Sequence, residues 1–381
     1  MDLDADVVVI GAGIAGTSVA FWLAPHARVL LLERESQPGY HSTGRSAALF
    51  MESYGPPQVR ALSRASRAFF DAPPDGFADY PLLSQRGAMV VATPEQEGAL
   101  LEHWRVLQQL TRHGQLLDAK AALALTPVLR EDKVLGAVYE TDAADMDVHA
   151  IHQGFLRGLR RAGGSVLSDA GVAAIRRVGS VWEVRTTGGR TVQAPLLVNA
   201  AGAWADEIGA LAGAGVIGLQ PRRRSAFIFA PPPDLATAEW PMTLGVGEDW
   251  YMKPDAGMLL GSPANADPVA PHDVQAEELD IAIAIDRIQE MTTLTIRRPT
   301  RVWAGLRSFV ADGELVGGWD TRAPGFFWVA AQGGYGIQTA PAMGEACAAL
   351  VRGQPLPERI AGFGLTQEAL SPARPSLAPG A

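Results

Sequence analysis

Three glycines near the start of the chain have the spacing of a phosphate-binding turn. Gly11, Gly13 and Gly16 form the pattern G-x-G-x-x-G directly after the apolar residues 7–10. Gly11 permits a tight turn, Gly13 lets a pyrophosphate approach the backbone, and Gly16 lets the following helix lie close to the strand. The free N–H groups at that helix N-terminus favour negative charge. The residues expected at the phosphates are Gly11, Ala12, Gly13, Ile14, Ala15 and Gly16.

An acidic residue follows the second apolar run of the chain. Residues 29–32 read Val-Leu-Leu-Leu, and Glu33 and Arg34 come directly after them. A carboxylate at this position accepts hydrogen bonds from a ribose diol in dinucleotide-binding folds. Strand, glycine turn, helix, strand and acid therefore predict a dinucleotide-binding βαβ unit, with Glu33 and Arg34 beside the ribose.

Two later segments repeat the order of apolar run, glycine-containing loop and helix. Residues 196–199 run into the loop 200–204, and residues 326–331 run into the loop 332–336. An NAD enzyme usually has a second mononucleotide-binding half, and the sequence shows none. Three glycine-containing loops at one sheet instead predict a large cofactor held along its whole length, and FAD fits this description better than NAD.

These loops require a sheet that is assembled from separated parts of the chain. The predicted fold class is α/β, with a discontinuous Rossmann-type FAD-binding domain and an inserted, mainly β substrate-binding domain. The FAD-binding domain is expected to comprise residues 1–85, 143–215 and 301–381. The substrate-binding domain is expected to comprise residues 86–142 and 216–300.

Composition excludes several classes of protein. The chain has 381 residues, 48% of them hydrophobic, and a net charge of −9, which argues against a nucleic-acid partner. Its single cysteine, Cys347, stands among small apolar residues, so we expect a buried hydrophobe and non-covalent FAD. We find no metal-ligand spacing and no apolar stretch of membrane-spanning length. The sequence predicts a cytoplasmic protein and leaves peripheral attachment to the inner membrane open.

Four motifs together resemble the D-amino acid oxidase (DAO) superfamily of flavoenzymes. They are residues 11–33, 41–48, 199–204 and 333–336. Within that superfamily the chain is similar to bacterial FAD-dependent D-arginine dehydrogenases over nearly its whole length. The further FAD contacts that the resemblance implies are His41, Ser42, Thr43, Arg45, Ser46, Ala47, Ala48, Val172, Ala201, Gly202, Trp204, Gly333, Gly334, Tyr335, Gly336 and Ile337.

The resemblance implies oxidation of a D-amino acid, with hydride passing from Cα to flavin N5 and electrons then passing to an acceptor such as a quinone. The imino acid product becomes a 2-oxo acid and ammonia. Because the cofactor supplies the chemistry, the protein mainly holds the substrate, and a guanidinium suits a carboxylate. The residues implied are Arg224 and Arg307 for the carboxylate, Tyr54 and Tyr251 for the pocket, and the backbone of Gly305 and Gly334 near the amine and flavin. We expect Arg222 and Arg223 at a solvated edge.

The sequence departs from the resembled dehydrogenases where they bind the substrate side chain. Ala88 stands in place of a glutamate that pairs with the cationic side chain, and Leu49, Phe50 and Met51 make the neighbouring segment apolar. A guanidinium buried without a carboxylate partner is costly. An apolar side chain gains roughly 1.5–3 kcal/mol on full burial. We therefore expect neutral, mostly apolar D-amino acids to be preferred over arginine.

Other activities fit the same carboxylate-binding residues. They are an oxidase that uses O₂, an enzyme of N-methyl amino acids, and a 2-hydroxy acid dehydrogenase, since only contacts to the amine or hydroxyl separate them. A non-catalytic FAD-binding protein is disfavoured, because it needs neither Arg307 nor Arg224.

Overall fold

A six-stranded sheet contains the three apolar runs that precede the glycine-containing loops. The computed structural model describes residues 4–377, so the ends of the first and last predicted segments, 1–3 and 378–381, lie outside it. All neighbouring strands of this sheet are parallel except the first pair. In spatial order the strands are Val316–Trp319, Phe326–Ala330, Leu196–Asn199, Val7–Ile10, Val29–Leu32 and Ser165–Leu167.

Both faces of this sheet are covered, which explains why its strands are uninterrupted apolar runs. Val7 and Val9 face one hydrophobic core, and Val8 and Ile10 face another. Helices Ile14–Leu23 and Gly336–Val351 pack against each other on the first side.

Glycines allow these elements to lie close together. A Cβ atom on Gly16 would come within 1.8 Å of the Gly11 carbonyl oxygen, so only glycine fits at this contact of helix and turn. A Cβ atom on Gly344 would come within 2.8 Å of the Ser18 backbone, where helices Ile14–Leu23 and Gly336–Val351 cross.

A nine-stranded sheet forms the second layer of the molecule. Arg301–Phe309 pairs along most of the length of Gln220–Phe229, which pairs on its other edge with Asp267–Pro268 and Met258–Ser262. Helix Glu278–Met291 packs on this sheet. The remaining strands, in spatial order, are Tyr251–Asp255, Met242–Gly245, Ala88–Ala92, Gly136–Glu140 and Gln115–Asp118.

The remaining strands form two smaller, three-stranded sheets. One contains Val172–Val178, Val181–Thr186 and Thr191–Ala194, and the other contains Leu49–Phe50, Ala144–Met146 and Leu83–Gln85. The remaining helices are Pro57–Asp71, Glu97–Leu110, Ala119–Leu125, Val148–Arg161, Ala205–Leu211, Glu358–Ala361 and Gln367–Leu370. None of the helices in residues 4–377 is both long and apolar enough to cross a membrane.

The architecture confirms the predicted α/β class, with a parallel sheet and a separate, largely antiparallel sheet. The division into domains remains a prediction, and one strand departs from it. Arg301–Phe309, which we expected in the FAD-binding domain, lies in the nine-stranded sheet, because its register with Gln220–Phe229 is long and antiparallel. Helix Glu278–Met291 lies in a stretch that the sequence predicted to be mainly β.

Candidate active site

A cavity of about 460 Å³ lies at the carboxyl ends of the parallel strands. We call it the glycine cavity, after Gly11, Gly13, Gly202 and Gly333 in its wall. This is the edge where open α/β sheets bind ligands. The predicted cofactor residues that line it are Gly11, Gly13, Ile14, Ala15, Glu33, Arg34, His41, Ser42, Thr43, Val172, Ala201, Gly202, Trp204 and Gly333.

Glu33 secures the glycine turn from the neighbouring strand. Its Oε2 atom accepts a hydrogen bond from the Ala12 N–H at 2.9 Å, and its Oε1 atom accepts one from the Glu35 N–H at 3.0 Å. The Ala12 carbonyl oxygen lies 2.9 Å from Nε2 of His152. Ala12 is fully buried and does not line the cavity.

One end of the glycine cavity gathers planar side chains around the indole of Trp204. The Arg34 guanidinium lies 4.7 Å from the ring centre of Trp204, and the His41 ring lies 4.7 Å from the same indole. Nε2 of His41 lies 2.9 Å from the Glu35 carboxylate. The His41 ring is tilted by 54° to the indole, so the two rings are not stacked. Planar aromatic and guanidinium groups nevertheless suit contact with a heteroaromatic base.

Gln332, which the sequence analysis missed, joins two cavities. Its Nε2 atom is buried and has no hydrogen-bond partner within residues 4–377. A buried amide donor of this kind is costly unless a ligand accepts from it. The adjacent Ala331 and Gly333 have positive φ angles of 58° and 53°. The signal in the sequence was the position of Gln332 directly before the paired glycines.

A second cavity, of about 160 Å³, adjoins the first. We call it the arginine cavity, after Arg224 and Arg307. The residues that line both cavities are Ile14, Ser42, Thr43, Leu306, Gln332 and Gly333. The predicted residues that line the arginine cavity are Arg45, Ser46, Ala47, Ala48, Leu49, Met51, Tyr54, Arg224, Tyr251, Gly305, Arg307, Gly334, Gly336 and Ile337.

Strand register brings the two arginines to one wall. Arg224 lies opposite Gly305 in the antiparallel pair, so Arg307, two residues beyond Gly305, shares the face of Arg224. Nη1 of Arg307 donates to the Tyr54 hydroxyl oxygen at 3.0 Å. A Cβ atom on Gly334 would come within 2.7 Å of that Nη1, so glycine leaves the space that the guanidinium occupies.

The electrostatics of this wall favour an anion. Nε of Arg224 donates to the Asn265 carbonyl oxygen at 2.6 Å. Burial and the neighbouring Arg307 lower the pKa of Arg224, although an arginine stays protonated in a protein. Two half-buried cations that disfavour each other gain from a shared carboxylate.

The rest of the arginine cavity is mostly apolar. The residues named below were not predicted from the sequence, because their exposure to the cavity depends on how distant strands pair. Glu248, in the turn between two strands, contributes a carboxylate to the lining. The apolar residues added by the structure are Met146, Ala226, Met242, Leu244, Trp250, Ala264 and Trp303.

Two residues predicted for the side-chain pocket do not reach the cavity. Phe50 alternates with Leu49 in a strand and therefore packs away from the cavity, with its ring 5.9 Å from that of Phe70. Ala88 is fully buried, in a cluster with Met51, and lies directly opposite Glu140 in the strand pair. Both residues support the wall rather than line it.

Three other predicted residues either support the cavity walls from behind or bind other protein groups with their polar atoms. Gly16 packs against the glycine turn and does not face the cavity. Tyr335 packs edge-on against Tyr54, with ring centres 5.1 Å apart. Arg45 lines the arginine cavity, but its guanidinium donates to the Val274 carbonyl oxygen at 2.9 Å.

The arginine triplet divides between solvent and core. Arg222 is exposed as expected, but the expectation for Arg223 is wrong. Strand alternation turns Arg223 to the other face, where its Nε donates to Asp280 at 2.9 Å and its Nη1 to Glu277. The paired carboxylates compensate its burial.

Cys347 is fully buried in helix Gly336–Val351 and lines neither cavity. Burial raises the pKa of its thiol. A protonated thiol in the core is a poor nucleophile. Within residues 4–377 no group of three histidine, cysteine, aspartate or glutamate side chains is arranged to hold a metal ion.

The chain is similar to a glycine oxidase and to an L-proline dehydrogenase over nearly its whole length. Glycine oxidase of Geobacillus kaustophilus is 25% identical over 373 residues, which cover 95% of this chain and 97% of that protein. Its crystal structure superimposes with a TM-score of 0.81 at 24% identity, over 95% of this chain and 98% of that one. L-Proline dehydrogenase from P. horikoshii superimposes with a TM-score of 0.82 at 20% identity, over 98% of each chain.

A shorter match relates the chain to a different activity. L-2-Hydroxyglutarate dehydrogenase of Escherichia coli K12 is 27% identical over 240 residues, which cover 59% of this chain. The chain spans about half the length of that relative, 52%. The similarity to D-arginine dehydrogenases in particular stays a prediction.

A family match identifies the cofactor that the two adjoining cavities fit. Residues 6–350 match the DAO family, described as FAD dependent oxidoreductase. The glycine turn, the planar groups at Trp204 and the unpartnered amide of Gln332 suit an extended dinucleotide that reaches from one cavity into the other. FAD is therefore the cofactor, and the chain belongs to the DAO family of FAD-dependent oxidoreductases.

Proposed function

We propose that this flavoenzyme is a dehydrogenase that oxidises neutral, mostly apolar D-amino acids to 2-oxo acids and ammonia. The observation that carries the proposal is the pair Arg224 and Arg307, which meet at one wall of an otherwise mainly apolar cavity beside the cofactor site. Preference for the D configuration follows from the resemblance to D-amino acid enzymes.

Arg307 is the principal anchor in this proposal. The neighbouring Tyr54 hydroxyl oxygen already accepts from its Nη1, which fixes the plane of the guanidinium. Arg224 is fixed in the same way through Asn265. A substrate carboxylate would accept hydrogen bonds from both arginines, and such charge-assisted bonds define orientation as well as affinity. Because the two arginines would hold the carboxylate, the Cα atom of the substrate could occupy only a small range of positions.

FAD, when bound, would supply the acceptor for the hydride that leaves Cα. The backbone carbonyls of Gly305 and Gly334, both in the cavity wall, are the proposed acceptors for the substrate amine. The N-terminus of helix Gly336–Val351 borders the same cavity through Gly336 and Ile337. Its partial positive charge would stabilise negative charge on the isoalloxazine.

The side-chain preference rests on the apolar wall. Leu49, Met51, Met242 and Leu244 offer contacts to an aliphatic or thioether side chain. Glu248 is the acidic residue of the lining, and Arg224 lies within its electrostatic reach. We propose that Glu248 balances Arg224 and does not serve as a partner for a substrate guanidinium.

The test is anaerobic reduction of the purified holoenzyme, followed by flavin absorbance. D-Leucine, D-methionine, D-arginine, their L-enantiomers, N-methylglycine and L-2-hydroxyglutarate would be compared at equal concentrations. We expect fast bleaching by D-leucine and D-methionine and slower bleaching by D-arginine. Preferential bleaching by D-arginine would overturn the side-chain preference. Bleaching only by N-methylglycine or L-2-hydroxyglutarate would overturn the D-amino acid assignment within the same family. Reduced enzyme would then be mixed with O₂ or a quinone, and faster reoxidation by O₂ would make the protein an oxidase.

A further inference from the structure

A buried carboxylate lies behind the arginine cavity, outside the residues assigned above to substrate or cofactor. Glu140 ends the strand Gly136–Glu140 and is 2% exposed. Among the ion pairs of residues 4–377, none involves this carboxylate. A buried glutamate without a cation needs compensating hydrogen bonds.

The hydrogen bonds of Glu140 come from one short segment. Its Oε1 atom accepts from the Glu52 N–H at 2.7 Å, and its Oε2 atom accepts from the Ser53 hydroxyl. Ser53 is itself buried. Both oxygens of the Glu140 carboxylate are therefore bound by two consecutive residues of one segment, which fixes the position of that segment.

The next residue of that segment is Tyr54, whose hydroxyl meets Arg307. The ring of Tyr335 supports Tyr54 from another side. Gly55 follows with φ of 88°, and its carbonyl oxygen accepts from Nη1 of Arg60 at 2.6 Å. The backbone is therefore held on both sides of Tyr54. Glu140 holds the two residues before it, and Arg60 holds Gly55 after it.

The geometry points to Glu140 as a positioning residue that holds Tyr54 against Arg307, and so sets the affinity of the arginine cavity for carboxylates. This inference rests on the proposed role of Arg307 in carboxylate binding. Glu140 lies directly opposite Ala88, so a carboxylate is present near the position where the resembled dehydrogenases carry a glutamate. In this chain, however, the carboxylate is directed at the Glu52 N–H and the Ser53 hydroxyl and does not line the cavity.

The test measures binding of 4-methylpentanoate, which has the skeleton of leucine and no amine, so that no hydride can leave. The holoenzyme is titrated, and the flavin spectrum reports the dissociation constant. For Glu140→Leu, which leaves two donors unpaired, we expect that constant to rise roughly tenfold, the equivalent of about 1.4 kcal/mol. Glu140→Gln keeps an acceptor for Glu52 and a polar partner for Ser53, and should stay within roughly twofold of the unmodified protein.

A double-mutant cycle separates positioning from a general structural role. Tyr54→Phe removes the hydroxyl that meets Arg307. In that background Glu140→Leu should change the dissociation constant by less than roughly twofold, because coupled residues are not additive. Equal effects of Glu140→Leu with and without the hydroxyl would overturn the inference.

Two further outcomes separate failure of this inference from failure of the proposed function. If the unmodified holoenzyme binds 4-methylpentanoate and both Glu140 variants bind it equally well, the inference fails and the proposed function stands. If the unmodified holoenzyme does not bind it, the carboxylate-binding role of Arg307 fails and the inference fails with it. Should Glu140→Leu not fold with FAD, Ser53→Ala replaces it, with an expected rise of roughly threefold and no rise as the contradicting result.

Discussion

At the scale of single residues, the sequence identified Arg224 and Arg307 as candidate carboxylate ligands but did not show which face of the strand each arginine occupies. Both line one cavity, as the resemblance implied. Arg223, between Arg222 and Arg224, is buried against Asp280, because alternate residues of a strand face opposite sides. Three consecutive arginines do not show which of them face the cavity and which face the core. The orientation of this strand was therefore not predictable from sequence alone.

The first prediction concerns Arg307→Met, with Arg222→Met as the matched control. Removing the guanidinium removes paired, charge-assisted hydrogen bonds to the carboxylate, so the D-leucine concentration for half-maximal anaerobic flavin reduction should rise roughly a hundredfold. Arg222 is exposed and lies over Phe309, so its loss should leave this concentration within roughly twofold. Equal effects of the two substitutions would argue against an anchor at Arg307.

A second residue-scale prediction concerns Ala88→Glu, which restores the glutamate of the resembled dehydrogenases. Ala88 is fully buried and its neighbour across the strands is Glu140. Two carboxylates directly opposite each other are destabilising, and an unpaired buried charge costs several kcal/mol. We expect a fall in the free energy of unfolding of roughly 3 kcal/mol or more, measured by denaturant titration. A stable variant with faster D-arginine oxidation would contradict this placement of residue 88.

At the scale of elements, the glycine turn and its flanking strands follow the prediction closely. The spacing of Gly11, Gly13 and Gly16 specifies a tight turn and a closely packed helix. The apolar runs 7–10 and 29–32 form strands with the same bounds. Glu248 and Gln332 were missed because they lie in a turn and a loop, where no periodicity marks a side chain that faces a cavity.

The contact between helices Ile14–Leu23 and Gly336–Val351 gives the third prediction. Gly344→Ala places a Cβ atom within 2.8 Å of the Ser18 backbone, so the helices must separate. We expect the free energy of unfolding to fall by roughly 1–3 kcal/mol and FAD to be held less tightly. Gly98→Ala is the matched control, since no atom lies within 4 Å of its Cβ and alanine favours a helix. Similar stability of both variants would contradict the tight crossing.

The fourth prediction is a pH dependence of stability due to Glu140. Burial raises the pKa of Glu140 to about 7, from an ordinary value of 4.5. The folded state then binds a proton that the unfolded state releases, so this group's contribution to stability falls as pH rises from about 4.5 to about 7 and is constant above. Glu140→Gln removes this dependence. Relative to that variant, the unmodified protein should lose roughly 3 kcal/mol across this interval. Parallel stability curves of the two proteins between pH 5 and pH 8 would contradict the assignment.

On the scale of the whole molecule, the cofactor site draws on segments far apart in the sequence. The glycine cavity combines loops after Val7–Ile10, Leu196–Asn199 and Phe326–Ala330. The sequence predicted these three loops, because each repeats the order of strand, glycine and helix. It did not predict that Arg301–Phe309 joins the nine-stranded sheet, since a strand's sheet is decided by pairing with distant residues.

This arrangement gives the fifth prediction. A ligand that binds only the folded state stabilises it by mass action, by roughly 4 kcal/mol when the free ligand exceeds its dissociation constant a thousandfold. Apoprotein should therefore unfold at a lower temperature than holoenzyme, and the midpoint should rise with added FAD but not with added NAD. A midpoint that does not depend on FAD would contradict a cofactor held across these segments.

The most direct test of the account is a crystal structure of the holoenzyme with 4-methyl-2-oxopentanoate, the product expected from D-leucine. We expect its carboxylate within hydrogen-bond distance of Arg224 and Arg307, and its isobutyl group against Leu49, Met51 and Met242. A carboxylate bound away from both arginines, or an isobutyl group directed at Glu248, would contradict carboxylate anchoring and apolar selectivity in this cavity.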